Sequence, residues 1–155
     1  MAYLLDTNIL LRLFDKKSPA HSTVQAAVDR LKAQGKALHF APQNAAEFWN
    51  VATRPLDKNG LGLTPAEADP LLSEVERLFT LLPETPALYP AWRLLVRSVG
   101  VSGVQVHDAR LVAWMQAHRL THVLTLNPDD FTRFATQTGI VVVNPNNLIA
   151  STGSR

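Results

Sequence analysis

Ala2-Tyr3-Leu4-Leu5-Asp6-Thr7-Asn8-Ile9-Leu10 decides how the chain folds. Residues 2–5 are apolar at consecutive rather than alternate positions, the pattern of a strand covered on both faces. Asp6-Thr7-Asn8 ends the run, and Ile9, Leu10, Leu13 and Phe14 then recur at helical spacing. The stretch predicts a buried strand that hands a carboxylate to the start of a helix. A carboxylate there is costly to bury without partners. The same position also suits a helix N-cap, whose side chain accepts from free backbone N–H groups.

Working outward, strands and helices alternate. Ser18-Pro19 reads as an N-cap with proline in the first turn of a helix, which presents Val24, Ala27, Val28 and Leu31 and ends at Gly35. Residues 37–41 predict a second strand. Gln43–Thr53 predicts a helix stopped at Arg54-Pro55, because a residue before proline avoids the helical region. Asp57-Lys58-Asn59-Gly60-Leu61-Gly62 is a loop, and Thr64-Pro65-Ala66-Glu67 fits a capping box opening a helix that ends near Leu78. A strand-like segment at 79–82 follows, then a helix capped by Thr85-Pro86 and ended by Gly100. An apolar helix over 106–118, a strand over 123–126, a short helix over 129–135 and a strand over 140–143 complete the order. The pattern predicts an α/β fold, a three-layer α/β/α sandwich with a central, mainly parallel sheet. The consecutive helices between 42 and 100 form a helical elaboration packed on one side. No linker divides the chain, so a single domain is expected over residues 2–148, with 149–155 as a frayed tail.

Composition narrows the chemistry. The 155 residues hold 15 Lys+Arg, 13 Asp+Glu and no cysteine, and a chain of this length buries roughly two-thirds of its unfolded surface without staples. The lack of cysteine excludes disulfides, thiolate nucleophiles, iron–sulfur clusters and Cys-type zinc sites. Any metal must then be held by carboxylate, carbonyl, hydroxyl or imidazole groups, which favours hard cations. No basic stretch with a long apolar segment opens the chain and no run of eighteen apolar residues occurs, so neither a signal peptide nor a membrane span is expected. A cytoplasmic protein is the expectation.

Ligands of open α/β sheets gather at the carboxyl ends of the strands, and Asp6 belongs there. Glu47 lies in an amphipathic helix with Asn44 and Asn50 three residues to either side, a position that also suits a surface glutamate. Asp108 opens the most apolar helix in the chain. A helix apolar all round is central, so this acid faces an interior cleft, where it can also stabilise the helix dipole. Thr125-Leu126-Asn127-Pro128-Asp129-Asp130-Phe131 follows another strand and would pass for an ordinary turn in isolation. Carboxylates that converge without basic partners repel one another, and a divalent cation is the simplest way to keep them ionised.

In this order and spacing, Asp6-Thr7-Asn8 after an N-terminal strand, a helical Glu47, Asp108-Ala109 opening an apolar helix, and Thr125-x-Asn127-x-x-Asp130-Phe131 resemble the PIN-domain nucleases. The size, with no appended domain, resembles the VapC toxins of toxin–antitoxin pairs. The resemblance implies a PIN-like fold and hydrolysis of RNA phosphodiesters by an endoribonuclease that needs Mg²⁺ or Mn²⁺ and leaves a 5′-phosphate and a 3′-hydroxyl. It implies that Asp6, Glu47, Asp108 and Asp130 form the catalytic acids. These four and Asn127 form the metal ligands, Asn127 standing where relatives often carry another acid. Thr7 and Asn8 would orient Asp6 or a bound water, and Arg12 and Arg110 would contact RNA phosphates. A cognate VapB-like antitoxin and a second copy of the chain are the implied protein partners, with the helices of Trp49 and Trp92 as a possible dimer face; no membrane is involved.

Two rivals remain on the same residues. A silent PIN module would bind RNA or protein without cleaving, a reading the uncharged Asn127 keeps open. Haloacid-dehalogenase-like phosphatases also start with a strand and an aspartate but need a second acid two residues later, where this chain has Asn8. If the four acids share one pocket, nine acids face 15 bases elsewhere, a formal balance of about +6 around an acidic hole, which suits a polyanionic substrate.

Overall fold

The computed structural model describes residues 1–150. Five strands, β1 (Ala2–Leu5), β2 (Ala37–Phe40), β3 (Thr80–Leu81), β4 (His122–Leu124) and β5 (Val141–Val143), form one sheet in the order β3-β2-β1-β4-β5. Every pairing is parallel. Tyr3 pairs with Leu38 on one side and His122 on the other, so β1 is central. That place explains its unbroken apolar run: Leu4 and Leu5 are fully buried, one toward each face.

The chain winds from β1 out through β2 to β3, then returns to build β4 and β5 on the opposite side. The switch point of the sheet therefore lies between the carboxyl ends of β1 and β4. One ladder bond beyond each strand defines that place. Asp6 N donates to Leu124 O at 3.0 Å, and Thr125 N donates to Val143 O at 3.0 Å. Asp6 and Thr125, each the first residue past an apolar strand, end up side by side.

Eight α-helices cover the sheet among the described residues: α1 (Thr7–Phe14), α2 (His21–Ala33), α3 (Pro42–Thr53), α4 (Pro65–Leu78), α5 (Leu88–Val99), α6 (Val106–Ala117), α7 (Asp129–Thr138) and α8 (Pro145–Ala150). On one face, Tyr3, Leu5, Leu38, Phe40 and Leu124 pack against apolar residues of α1 to α4. On the other, Leu4 and Val123 pack against α5, α6 and α7, with Trp114, Phe131 and Phe134 fully buried. This is the expected three-layer α/β/α sandwich. Burial of Leu111 through Met115 makes α6 a central helix, as its uniformly apolar sequence implies.

Several local expectations are corrected. The helices between 42 and 100 do not share one side: α3 and α4 join the first layer, while α5 crosses to the second. Ser18 does not cap α2; its Oγ accepts from Ala20 N at 3.2 Å in a turn, and the helix starts at His21. Thr85 likewise makes a turn through its backbone carbonyl, accepting from Leu88 N at 3.1 Å, while its buried hydroxyl has no partner. The strand at 79–82 shrinks to two residues, α7 runs on to Thr138, and α8 was not expected at all. Of the expected tail, Ile149 and Ala150 finish α8, and 151–155 lie outside the described residues.

The capping box at α4 is formed. Thr64 Oγ1 accepts from Glu67 N at 3.2 Å, and Glu67 Oε1 accepts from Thr64 N at 3.1 Å. Thr64→Ala should therefore cost about 1 kcal/mol and lower the melting temperature by about 3 °C. An unchanged thermal melt would show that the cap contributes nothing.

Candidate active site

The site is built at the switch point, with Asp6 at its floor. Asp6 caps α1, its Oδ1 accepting from Thr7 N at 2.8 Å, while its Oδ2 accepts from Thr125 Oγ1 at 2.7 Å and from Asn8 Nδ2 at 3.3 Å. Capping and membership of an acidic site are thus the same geometry, since one carboxylate oxygen serves each. Asn8 also accepts from Leu126 N at 3.2 Å through Oδ1, tying α1 to the turn after β4. Thr125 Oγ1 takes a further bond from Asn127 N at 3.0 Å.

Glu47, on α3, is held at both oxygens. Thr7 Oγ1 donates to its Oε2 at 2.6 Å and Gln43 Nε2 donates to its Oε1 at 2.8 Å. Asn44, fully buried, donates to Thr7 Oγ1 at 3.0 Å and accepts from Ala41 N at 2.8 Å, which anchors the start of α3 and aims the Thr7 hydroxyl at Glu47. Asp108, in the first turn of α6, and Asp130, in the first turn of α7, make no carboxylate hydrogen bond among the described residues. The cleft therefore has one wall locked by hydrogen bonds and one wall that is not.

The four acids share a field. Burial pushes the Asp6 carboxyl up to about 6 against the pull of its Thr125 and Thr7 hydrogen bonds, and the charges of Glu47 and Asp130 push the same way. Desolvation, then the charges of Asp130, Asp6 and Glu47, pushes Asp108 up to about 7, while Arg133 pulls it down. This mutual repulsion, in an all-oxygen donor set, is what a hard divalent cation relieves. As they stand, no three acidic or histidine side chains among the described residues are gathered tightly enough to hold an ion. The donor chemistry fits such a cation; the cage is not closed.

A model of the PIN domain matches residues 3–137. The chain belongs to the PIN domain family. No curated protein sequence matches it. Its fold is similar to that of several solved structures. One is the VapBC2 complex of Rickettsia felis bound to a promoter DNA fragment (15% identity, 93% of this chain and 98% of that chain, TM-score 0.66). Another is VapBC-1 of nontypeable Haemophilus influenzae (16% identity, 94% and 99%, TM-score 0.65). A third is VapC20 of Mycobacterium tuberculosis, a sarcin–ricin loop cleaving toxin (18% identity, 86% and 94%, TM-score 0.55). The all-parallel sheet with helices on both faces is thus a PIN-like sandwich.

Within this PIN domain the residues expected at the site separate into groups. Asp6, Glu47, Asp108 and Asp130 act on one another through their charges, and Thr7 and Asn8 hydrogen-bond to Glu47 and Asp6 respectively. Asn127 is exposed and joins the site's hydrogen bonds through its backbone, its N–H donating to Thr125 Oγ1 and its carbonyl accepting from Asp130 N at 3.1 Å. Arg12 is turned to Asp15, with Nη1 and Oδ2 3.0 Å apart. Arg110 is stacked over Trp114 and paired with Glu84 at 3.1 Å. Trp49 and Trp92 pack in opposite layers, so they form no common face. Sequence reasoning assigned no role to Thr125, Gln43, Asn44 or Arg133. Thr125 carried a signal, as the first polar residue after an apolar strand, which is the position Asp6 holds after β1.

Proposed function

We propose that the chain is a Mg²⁺- or Mn²⁺-dependent endoribonuclease, the toxin of a VapBC-type pair. The observation that carries the reading is the convergence of four acids at the switch point, Asp6 from the cap of α1 and Glu47, Asp108 and Asp130 from α3, α6 and α7, where burial first and then mutual repulsion lift Asp6 and Asp108 well above the usual carboxylate range. Asp6, Asp108 and Glu47 would hold the cation, with Asp130 and Asn127 on its open side. When bound, the metal supplies Lewis acidity to the scissile phosphate and offsets the negative charge that builds there. Thr7, Thr125 and Gln43 keep the carboxylates of Asp6 and Glu47 oriented, so little reorganisation remains when an anionic substrate arrives. Exposed basic residues outside the cluster would draw the polyanion in.

The similar solved structures are toxin–antitoxin assemblies in two of the three cases, and the third is a loop-cleaving toxin, which supports a VapB-like antitoxin as partner and RNA as substrate. A homodimer belongs to the same reading, with Tyr89 and Leu94 of α5 exposed as apolar contacts. None of the helices among the described residues is long and apolar enough to cross a membrane. The phosphatase rival loses its ground because Asn8 is a neutral amide engaged with Asp6 and Leu126.

The silent-module rival draws on the open acidic cage and on Asn127. The test is cleavage of a structured RNA by purified protein. Cleavage should appear with Mg²⁺ or Mn²⁺, stop with a chelator, and be blocked by the product of a short neighbouring reading frame. A protein that binds the RNA but leaves it intact under every metal condition is the silent module.

A further inference from the structure

Gln43 is nearly buried, and every polar atom of its amide is engaged. Its nitrogen lies 2.8 Å from Glu47 Oε1 and 2.9 Å from the backbone oxygen of His107. Both partners are pure acceptors, so that atom must be the NH₂ group, with one hydrogen for each. The amide oxygen accepts from Arg110 Nη1 at 3.4 Å. Arg110 in turn is fixed by Glu84 at 3.1 Å and by the Trp114 ring, 4.6 Å from its guanidinium carbon. The orientation of Gln43 is therefore set from outside the cleft.

The two acceptors belong to different elements. Glu47 is on α3, in the layer of α1 to α4; His107 precedes Asp108 on α6, in the layer beyond the sheet. One amide thus joins the locked wall of the cleft to the backbone that carries its unlocked wall. The geometry points to Gln43 as a positioning residue that sets the separation of the Glu47 and Asp108 carboxylates, with Arg110 as its clamp and not as an RNA contact. This rests on the proposed metal-dependent reading of the site. Without the Gln43 amide, Glu47 keeps only the Thr7 hydroxyl, and its free oxygen is no longer held at a fixed distance from α6. Residues that orient metal ligands in this way commonly change metal affinity by roughly ten- to a hundredfold.

The test is titration of the metal-free protein with Mn²⁺ by calorimetry, which needs no RNA. Gln43→Asn keeps a buried amide but is one methylene too short to bridge. It should weaken Mn²⁺ binding about tenfold with unchanged stoichiometry, and the Mn²⁺ midpoint for cleavage should move by the same factor. Gln43→Met serves as the second variant, with circular dichroism to verify that each folds. In a Glu47→Gln background, Gln43→Asn should add nothing, because its partner carboxylate is gone. Equal Mn²⁺ affinity of wild type and Gln43→Asn overturns the assignment, as does a loss of the same size with and without Glu47. A wild type that binds no Mn²⁺ overturns the metal-dependent reading itself and the role of Gln43 with it.

Discussion

Asp6→Asn and Asp108→Asn proteins, each supplied with saturating Mn²⁺, should cleave RNA at least about a thousandfold more slowly than wild type, a loss of about 4 kcal/mol in transition-state stabilisation. The two variants fail for different reasons. Asn at position 6 can still accept from Thr7 N and so cap α1, but its amide nitrogen would face the Thr125 hydroxyl now donating to Oδ2 and the Asn8 amide beside it. Three donors would crowd one place, so the variant loses charge and orientation together. Asn at position 108 disturbs no hydrogen bond among the described residues, and its loss is one of charge alone. Asp108→Asn should therefore fold and bind an antitoxin like wild type while remaining inactive. Cleavage at comparable rates by wild type and both variants would move the chemistry away from this cluster.

How much of this was legible before the structure depends on the range of the interaction. The hand-off from β1 to Asp6 was legible because an apolar run that stops on an acid at a helix start has few other meanings, and burial on both faces of β1 produced that run. The uniform apolarity of α6 foretold its central place in the same way. Glu47 was ambiguous because a half-buried glutamate on an amphipathic helix looks the same whether its partner is water or Thr7. The reach of the arginines was not legible for a related reason. Helical spacing locates the backbone of Arg12 and Arg110 but not the far end of a long side chain, which found Asp15 three residues away and Glu84 in the loop before α5. Ser18 and Thr85 carry the composition of caps, yet each lies three residues before its helix starts; the Ser18 hydroxyl closes a turn instead, as Ser does readily, while at Thr85 the turn is closed by the backbone carbonyl and the hydroxyl stays unpaired. The layer taken by α5 follows from tertiary packing of its apolar face against α6, which no local pattern contains.

The metal-free protein should be most stable at mildly acidic pH and lose stability as the pH rises toward neutrality, opposite to the usual behaviour of a protein whose carboxylates are salt-bridged. In the unfolded chain Asp6 ionises near 3.8, whereas in the folded protein it holds its proton to about 6 and Asp108 to about 7. Between those values the folded state binds more protons than the unfolded one, so unfolding free energy falls with rising pH and levels off above about 7. For buried Asp6 the shift corresponds to about 3 kcal/mol; half-exposed Asp108 adds in the same direction, lessened by solvent screening. Asp108→Asn removes a repelled charge at no cost in hydrogen bonds, so in chelator at pH 7.5 it should melt several degrees above wild type, and the gap should narrow markedly by pH 5, closing only near pH 4, where the acid is protonated in the folded and the unfolded chain alike. Mn²⁺ should reverse the order at pH 7.5, raising the melting temperature of wild type and leaving Asp108→Asn nearly unmoved, because the repulsion that destabilises the free cluster is what binds the cation. Thermal melts of both proteins at the two pH values, with and without Mn²⁺, decide the matter. A wild type whose metal-free stability climbs between pH 5 and 7.5 would show that Asp6 and Asp108 are not held buried beside the other acids in the folded chain.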